Sequence, residues 1–170
     1  MKYLVFVAVA LAAGSLASST ASAETIRMQR TTPYADSSHI ARKIRKECVG
    51  LQDKLSAYAE EFGREFGVSI QRVDKVDAAD PGAVLVVEIT EVVSRGNPFI
   101  GHRKYSEIEG TLYRDGEKVA GFVGARNSMG GAFAGYKGSC SVLGRTMKAL
   151  GKDVAEWLTS PEDGDELGDY

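Results

Sequence analysis

The sequence predicts an α+β fold: a mainly antiparallel sheet of about five strands with two helices packed on one face. Three observations lead there. Two segments, 40–66 and 140–158, carry apolar residues at helical spacing. Between them the period falls to two, and β-branched residues concentrate in 83–93. The strands bunch together instead of alternating with helices, which favours an antiparallel α+β sandwich over a doubly wound parallel sheet.

Each element follows from its own pattern. Met1-Lys2 gives a positive start, Tyr3 to Ala13 is almost wholly apolar, and Ala21-Ser22-Ala23 forms an A-x-A cleavage signal before Glu24. This is a secretory signal peptide over residues 1–23, too short in its apolar part to cross a bilayer. The mature chain is expected to start at Glu24 in the periplasm. No cysteine sits near the cut, so neither a lipid anchor nor a transmembrane segment is expected. Residues 24–31 alternate and predict a short strand, broken at Thr32-Pro33-Tyr34. Asp36, Ser37 and Ser38 are N-cap candidates for a long helix whose stripe is Ile40, Ile44, Cys48, Leu51, Leu55, Tyr58, Phe62 and Phe66. Gly50 is a point where it bends or splits, and Gly67 is its stop.

Strands are then expected over 68–73, 83–93, 102–113 and 119–128. Arg95-Gly96-Asn97-Pro98 ends the second of these. Asp115-Gly116 joins the last two as a tight hairpin, since both turn positions need positive φ. The glycine-rich stretch 130–138 leads into the second helix, with stripe Cys140, Leu143, Met147, Leu150, Val154, Trp157 and Leu158. Ser139 and Ser141 are its cap candidates, and Pro161 ends it. Residues 24–160 read as a single domain. Residues 161–170, PEDGDELGDY, hold five of the twenty-three acids and one leucine, and read as a disordered acidic tail.

Composition limits the function. The formal net charge is −2, which argues against a general nucleic-acid binder. Two histidines and two cysteines are too few for a rich metal site, and no cofactor is expected. Both cysteines lie on the apolar stripes of their helices, and the exported compartment is oxidising, so a Cys48–Cys140 disulfide is expected. A catalytic thiol needs a base, and the only histidines are His39 and His102.

The glycine stretch meets neither the phosphate-loop nor the dinucleotide spacing. Its plain reading is a turn from strand to helix. Its functional reading is a small-ligand, anion or glycan site built from Gly130, Gly131, Lys137 and Gly138 at a helix start. Arg42, Lys43, Arg45 and Lys46 form a basic face. Glu88, Glu91, Glu107 and Glu109 are potential paired carboxylates, and Tyr105, Tyr113 and Tyr136 are potential binding-surface tyrosines.

The segments Arg126-Asn127-Ser128-Met129-Gly130-Gly131-Ala132-Phe133-Ala134-Gly135, Lys137-Gly138-Ser139-Cys140 and Ala149-Leu150-Gly151-Lys152-Asp153-Val154-Ala155, with Glu47-Cys48 and Leu51, resemble small exported proteobacterial proteins of unknown function. The resemblance covers roughly residues 40–160. More loosely, the chain is similar to α+β modules of periplasmic envelope-assembly proteins. That implies protein–protein work in the periplasm and supplies no catalytic residues. The expectation is therefore a non-enzymatic periplasmic protein that binds another cell-envelope component, with the ligand-binding reading of the glycine turn as the alternative.

Overall fold

The computed structural model describes residues 24–35, 40–97, 101–129 and 138–169; side chains of 95–97, 101–103 and 129 are outside the description. The elements are β1 (Thr25–Gln29), α1 (Arg42–Glu47), α2 (Leu51–Phe66), β2 (Ser69–Val73), β3 (Ala83–Asn97), β4 (Gly101–Arg114), β5 (Glu117–Met129), α3 (Ser139–Trp157) and β6 (Asp165–Gly168). The fold is α+β. The sheet has six strands in the order β2-β1-β3-β4-β5-β6 and is mixed, where a mainly antiparallel sheet of about five is expected. β3, β4 and β5 form a long antiparallel meander, while β1 pairs in parallel with both β2 and β3, and β6 pairs in parallel with β5. Each flanking parallel pair is joined by a helical crossover, which lets the chain re-enter the sheet in the same direction. Tyr34 bridges to Ile89 and extends the cover of β3 past the end of β1.

The core lies between one sheet face and the helices. Leu85, Val87, Ile89 and Val92 on β3, Ile108 and Leu112 on β4, and Phe122 on β5 meet Leu51, Leu55 and Ala59 of α2 and Leu143, Met147, Leu150 and Val154 of α3. Each fully buried leucine or methionine here contributes about 1.5–3 kcal/mol by leaving water. The two long helices touch closely at Gly151. A Cβ there would stand 2.6 Å from Tyr58 Cβ and 2.9 Å from the Ala59 nitrogen, so only glycine permits this crossing. The other sheet face carries Glu88, Glu109 and Thr111 together with Val84 and Val123, with no helix across it among the described elements.

The first helical stripe is split. Gly50 adopts φ 90°, a left-handed conformation, and separates α1 from α2; Gly67, at φ 76°, ends α2. α1 begins after Ala41 and α3 after Gly138, neither with a side-chain cap bond, so Ser139 and Ser141 do not cap α3, and Asp36, Ser37 and Ser38 lie outside the described residues. Asp115 and Gly116 both take positive φ in the β4–β5 turn, as the hairpin requires. β3 runs on to Asn97 because β4 continues to pair with it, so Arg95-Gly96-Asn97 does not end the strand. α3 ends at Trp157, before Pro161 is reached.

The expected disordered tail is corrected. Asp165–Gly168 is β6, in register with Phe122–Ala125. Asp165 accepts from the Trp157 indole N–H at 3.0 Å. Asp169 accepts from Arg126 Nη1 at 2.9 Å and from the Asn127 backbone N–H at 2.9 Å, while Arg126 also forks onto Asp153. Bonding to Asp153 is the main cause that raises the Arg126 pKa above its ordinary value. Acidic residues reject burial only while they lack partners, and here Arg126, the indole and the free edge of β5 supply them. Removing residues 161–170 should therefore lower stability by about 2 kcal/mol or more in urea unfolding; a loss below 0.5 kcal/mol would show that β6 contributes nothing to the fold.

Candidate functional site

The strongest candidate site is a cleft of about 580 Å³ at one end of the molecule, between α1, the start of α3 and the ends of β3 and β4. Its walls are set covalently. Cys48, just after α1, and Cys140, in the first turn of α3, form a disulfide with Cα atoms 5.1 Å apart and 92 residues apart in the chain. Both expected partners are thus brought together, and both line the cleft.

The floor comes from β4. Successive inward residues along this strand are Leu112, Gly110, Ile108, Ser106 and Lys104, so the core face turns polar toward the cleft. Ser106 bonds Thr146 of α3 at 2.7 Å, and the Thr146 hydroxyl donates to the Leu143 carbonyl at 2.7 Å. Lys104 is 2% exposed and lines the cleft. No hydrogen bond or ion pair joins its ammonium to the described residues, and the ammonium keeps some access to the cleft. Burial alone lowers its pKa from the ordinary 10.5, with no carboxylate contributing.

Among the described residues, two acids line the cleft, Glu47 and Glu91. Lys43 and Glu47 face each other across one turn of α1 at 4.0 Å, both well exposed at the rim. A bulge between Ile89 and Glu91 shifts the register of β3. It pairs Glu91 with Glu107 and Val92 with Ser106, and Glu91 and Val92 both line the cleft. Beside Lys104, Ser94 is its cross-strand partner. The roof is the N-terminus of α3. The carbonyl of Gly138 accepts from Ser141 and Val142, which leaves the N–H groups of Ser139 and Cys140 without acceptors among the described residues.

The other expected site residues fall elsewhere. Gly138 caps α3 and lines the cleft, whereas Gly130, Gly131 and Lys137 lie outside the described residues, as do Tyr136, His39 and the His102 side chain. Of the basic face, Arg42, Lys43 and Lys46 are exposed. Arg45 stacks over the Tyr34 ring at 4.8 Å, with its Nε and Nη2 buried and unbonded. Register does bring the glutamates together, Glu91 opposite Glu107 and, on the open sheet face, Glu88 opposite Glu109. Glu107 accepts from Thr90 at 3.0 Å and from the Tyr105 hydroxyl. Tyr113 lies on the open face, opposite Val84. Among the described residues no group of three or more His, Cys, Asp or Glu side chains is placed to hold a metal ion. No described helix is long and apolar enough to cross a membrane.

Sequence reasoning missed Lys104. The signal was present: it shares parity with Ser106, Ile108 and Leu112, so the strand pattern alone places it on the core face.

No protein-family model matches the chain, and no curated protein matches it. Among solved structures it is similar to protein XCC0632 from Xanthomonas campestris, of the family model DUF330. The TM-score is 0.57 at 11% identity, over 81% of this chain and 84% of that one. It also aligns with a minor lipoprotein from Acinetobacter baumannii, at TM-score 0.44 and 10% identity, over 81% of this chain and 94% of that one. A third match is the PelC dodecamer from Paraburkholderia phytofirmans, at TM-score 0.46 and 10% identity, over 76% and 86%. The first of these likenesses shows a shared fold.

Two outcomes follow from the cleft. Reducing the Cys48–Cys140 bridge, which closes a loop of about 90 residues, should cost about 2–5 kcal/mol of stability in denaturant unfolding. Cys48→Ala and Cys140→Ala should each cost as much as the double change. Lys104→Met should instead raise stability at pH 7 by about 1 kcal/mol, because it replaces a partly desolvated charge without a partner by an apolar side chain on the core face. The sign of the pH dependence is fixed. Between the lowered pKa of the folded state and 10.5, the unfolded chain holds a proton that the folded chain has released, so stability rises with pH across that window. The methionine variant should lose that slope; a marked destabilisation at pH 7 would mean that Lys104 has a structural partner.

Proposed function

We propose that this chain is an exported, non-enzymatic binding protein of the bacterial cell envelope, and that it recognises its envelope component through the disulfide-bounded cleft. The observation that carries the reading is Lys104. A lysine that is 2% exposed and unpaired costs stability, and a fold keeps such a group where a ligand supplies the missing partner. Export rests on the leader sequence at 1–23. A binding rather than catalytic role is supported by the lack, beside Lys104, of an acid or base bonded to it among the described residues. The alternative reading is a small ligand held by the glycine turn; of its residues, Gly138 lines this cleft.

The test is site-specific photocrosslinking in cells. A photoreactive residue replaces Lys43 at the cleft rim or Glu88 on the open sheet face, and adducts are read by mass on the purified chain. The periplasmic chain should begin at Glu24 and carry adducts from position 43 only. Equal labelling at both positions, no labelling at 43, or recovery of the chain in the cytoplasm would each defeat the proposal.

A further inference from the structure

We infer that the group recognised in the cleft is a carboxylate bearing a short aliphatic substituent, held by the Lys104 ammonium and the free N–H groups of Ser139 and Cys140. The inference deepens the cleft-binding reading and rests on it. Two independent features converge. α3 is 19 residues long, and its positive end has two backbone donors without acceptors. Lys104, from a different element, is buried and unpartnered on the floor of the same cleft. Neither feature depends on the other in sequence, and an oxyanion between them satisfies both.

Charge selects the class of anion. Lys43 and Glu47 neutralise each other at the rim. Glu91, in register with Glu107, also lines the cleft on its β3 wall. Against that carboxylate the floor and roof set the Lys104 ammonium and a helix terminus worth roughly half a charge. A monoanion is the most such a site accepts; a phosphate monoester at neutral pH would bring more charge than the site offsets. Apolar surface selects the substituent. Ile44, Val92 and the Cys48–Cys140 bridge line the cleft beside the polar end, and all four side chains are apolar. A branched or linear chain of a few carbons buries itself there. Two sources have this chemistry: a free short fatty acid, and the C-terminal aliphatic residue of a peptide.

The test uses the mature, disulfide-bonded chain and calorimetric titration with hexanoate, N-acetyl-leucine, and their neutral amides. At least one acid should bind, and its amide should bind at least tenfold more weakly. Preference for hexanoate identifies a fatty-acid source, and preference for N-acetyl-leucine a peptide terminus; both support the inference. Lys104→Met should weaken acid binding tenfold or more. Ser139→Pro removes one amide donor at the first helical position, where proline is tolerated, and should weaken binding several-fold with the fold intact. This second variant keeps the inference testable if the first does not fold. In NMR, the bound acid should raise the Lys104 side-chain pKa toward its ordinary value. Acid and amide binding equally, neither acid binding, or both variants binding as the unmodified chain does would overturn the inference. Crosslinks at position 43 without acid binding would overturn it too, while leaving the broader cleft reading intact.

Discussion

The Cys48–Cys140 bridge is the constraint on which this end of the molecule depends. α1 is only six residues long, begins without a side-chain cap, and is set off from α2 by a left-handed glycine. An isolated helix of that length is not stable. Its position comes from Ile40 and Ile44 in the core and from the covalent tie to α3. The same tie holds the start of α3, where the chain leaves the 130–137 segment. Two weakly determined ends are thereby fixed against each other, and the space between them is the cleft.

Below that end, the fold is built on one side. Both long helices lie on a single sheet face and meet at Gly151, and the sheet supplies the opposite half of the core. Across the paired strands Glu88 stands opposite Glu109 and Glu91 opposite Glu107. Like charges directly across a pair weaken the sheet. The hydroxyls of Thr90 and Tyr105 offset part of that cost at Glu107.

Stability and binding pull in different directions at Lys104. The apolar pattern that builds the β4 core face would be continued by a leucine or methionine at this position. A lysine there forgoes apolar burial and leaves an ammonium without a partner. At the other end of the molecule the opposite solution is used: Arg126 is bonded to both Asp153 and Asp169, and Trp157 donates to Asp165. Polar groups near the tail are satisfied within the chain, whereas the Lys104 ammonium at the cleft has no partner among the described residues.

The sequence by itself determined the elements that arise from local periodicity. The 3.6-residue stripes through Leu51, Leu55, Leu143, Met147 and Leu150 and the alternation of the central strands are properties of neighbouring residues, so they were legible. The Asp115-Gly116 turn and the break at Gly50 follow from local backbone preference. The facing of Cys48 and Cys140 follows from the two stripes and one shared sheet face. Tertiary structure decided the rest. Parallel pairing of β1 with β2 and of β5 with β6 joins segments far apart in sequence, and no local pattern encodes it. The acidic tail reads as disordered in isolation because its partners, Arg126 and the β5 edge, are not its neighbours in sequence. The Thr90 bulge inverts the parity of β3, placing Glu91 opposite Glu107 and Ser94 opposite Lys104. That Lys104 lies inward is written in the strand alternation; that it has no partner is a property of everything packed around it, and only the assembled fold shows that.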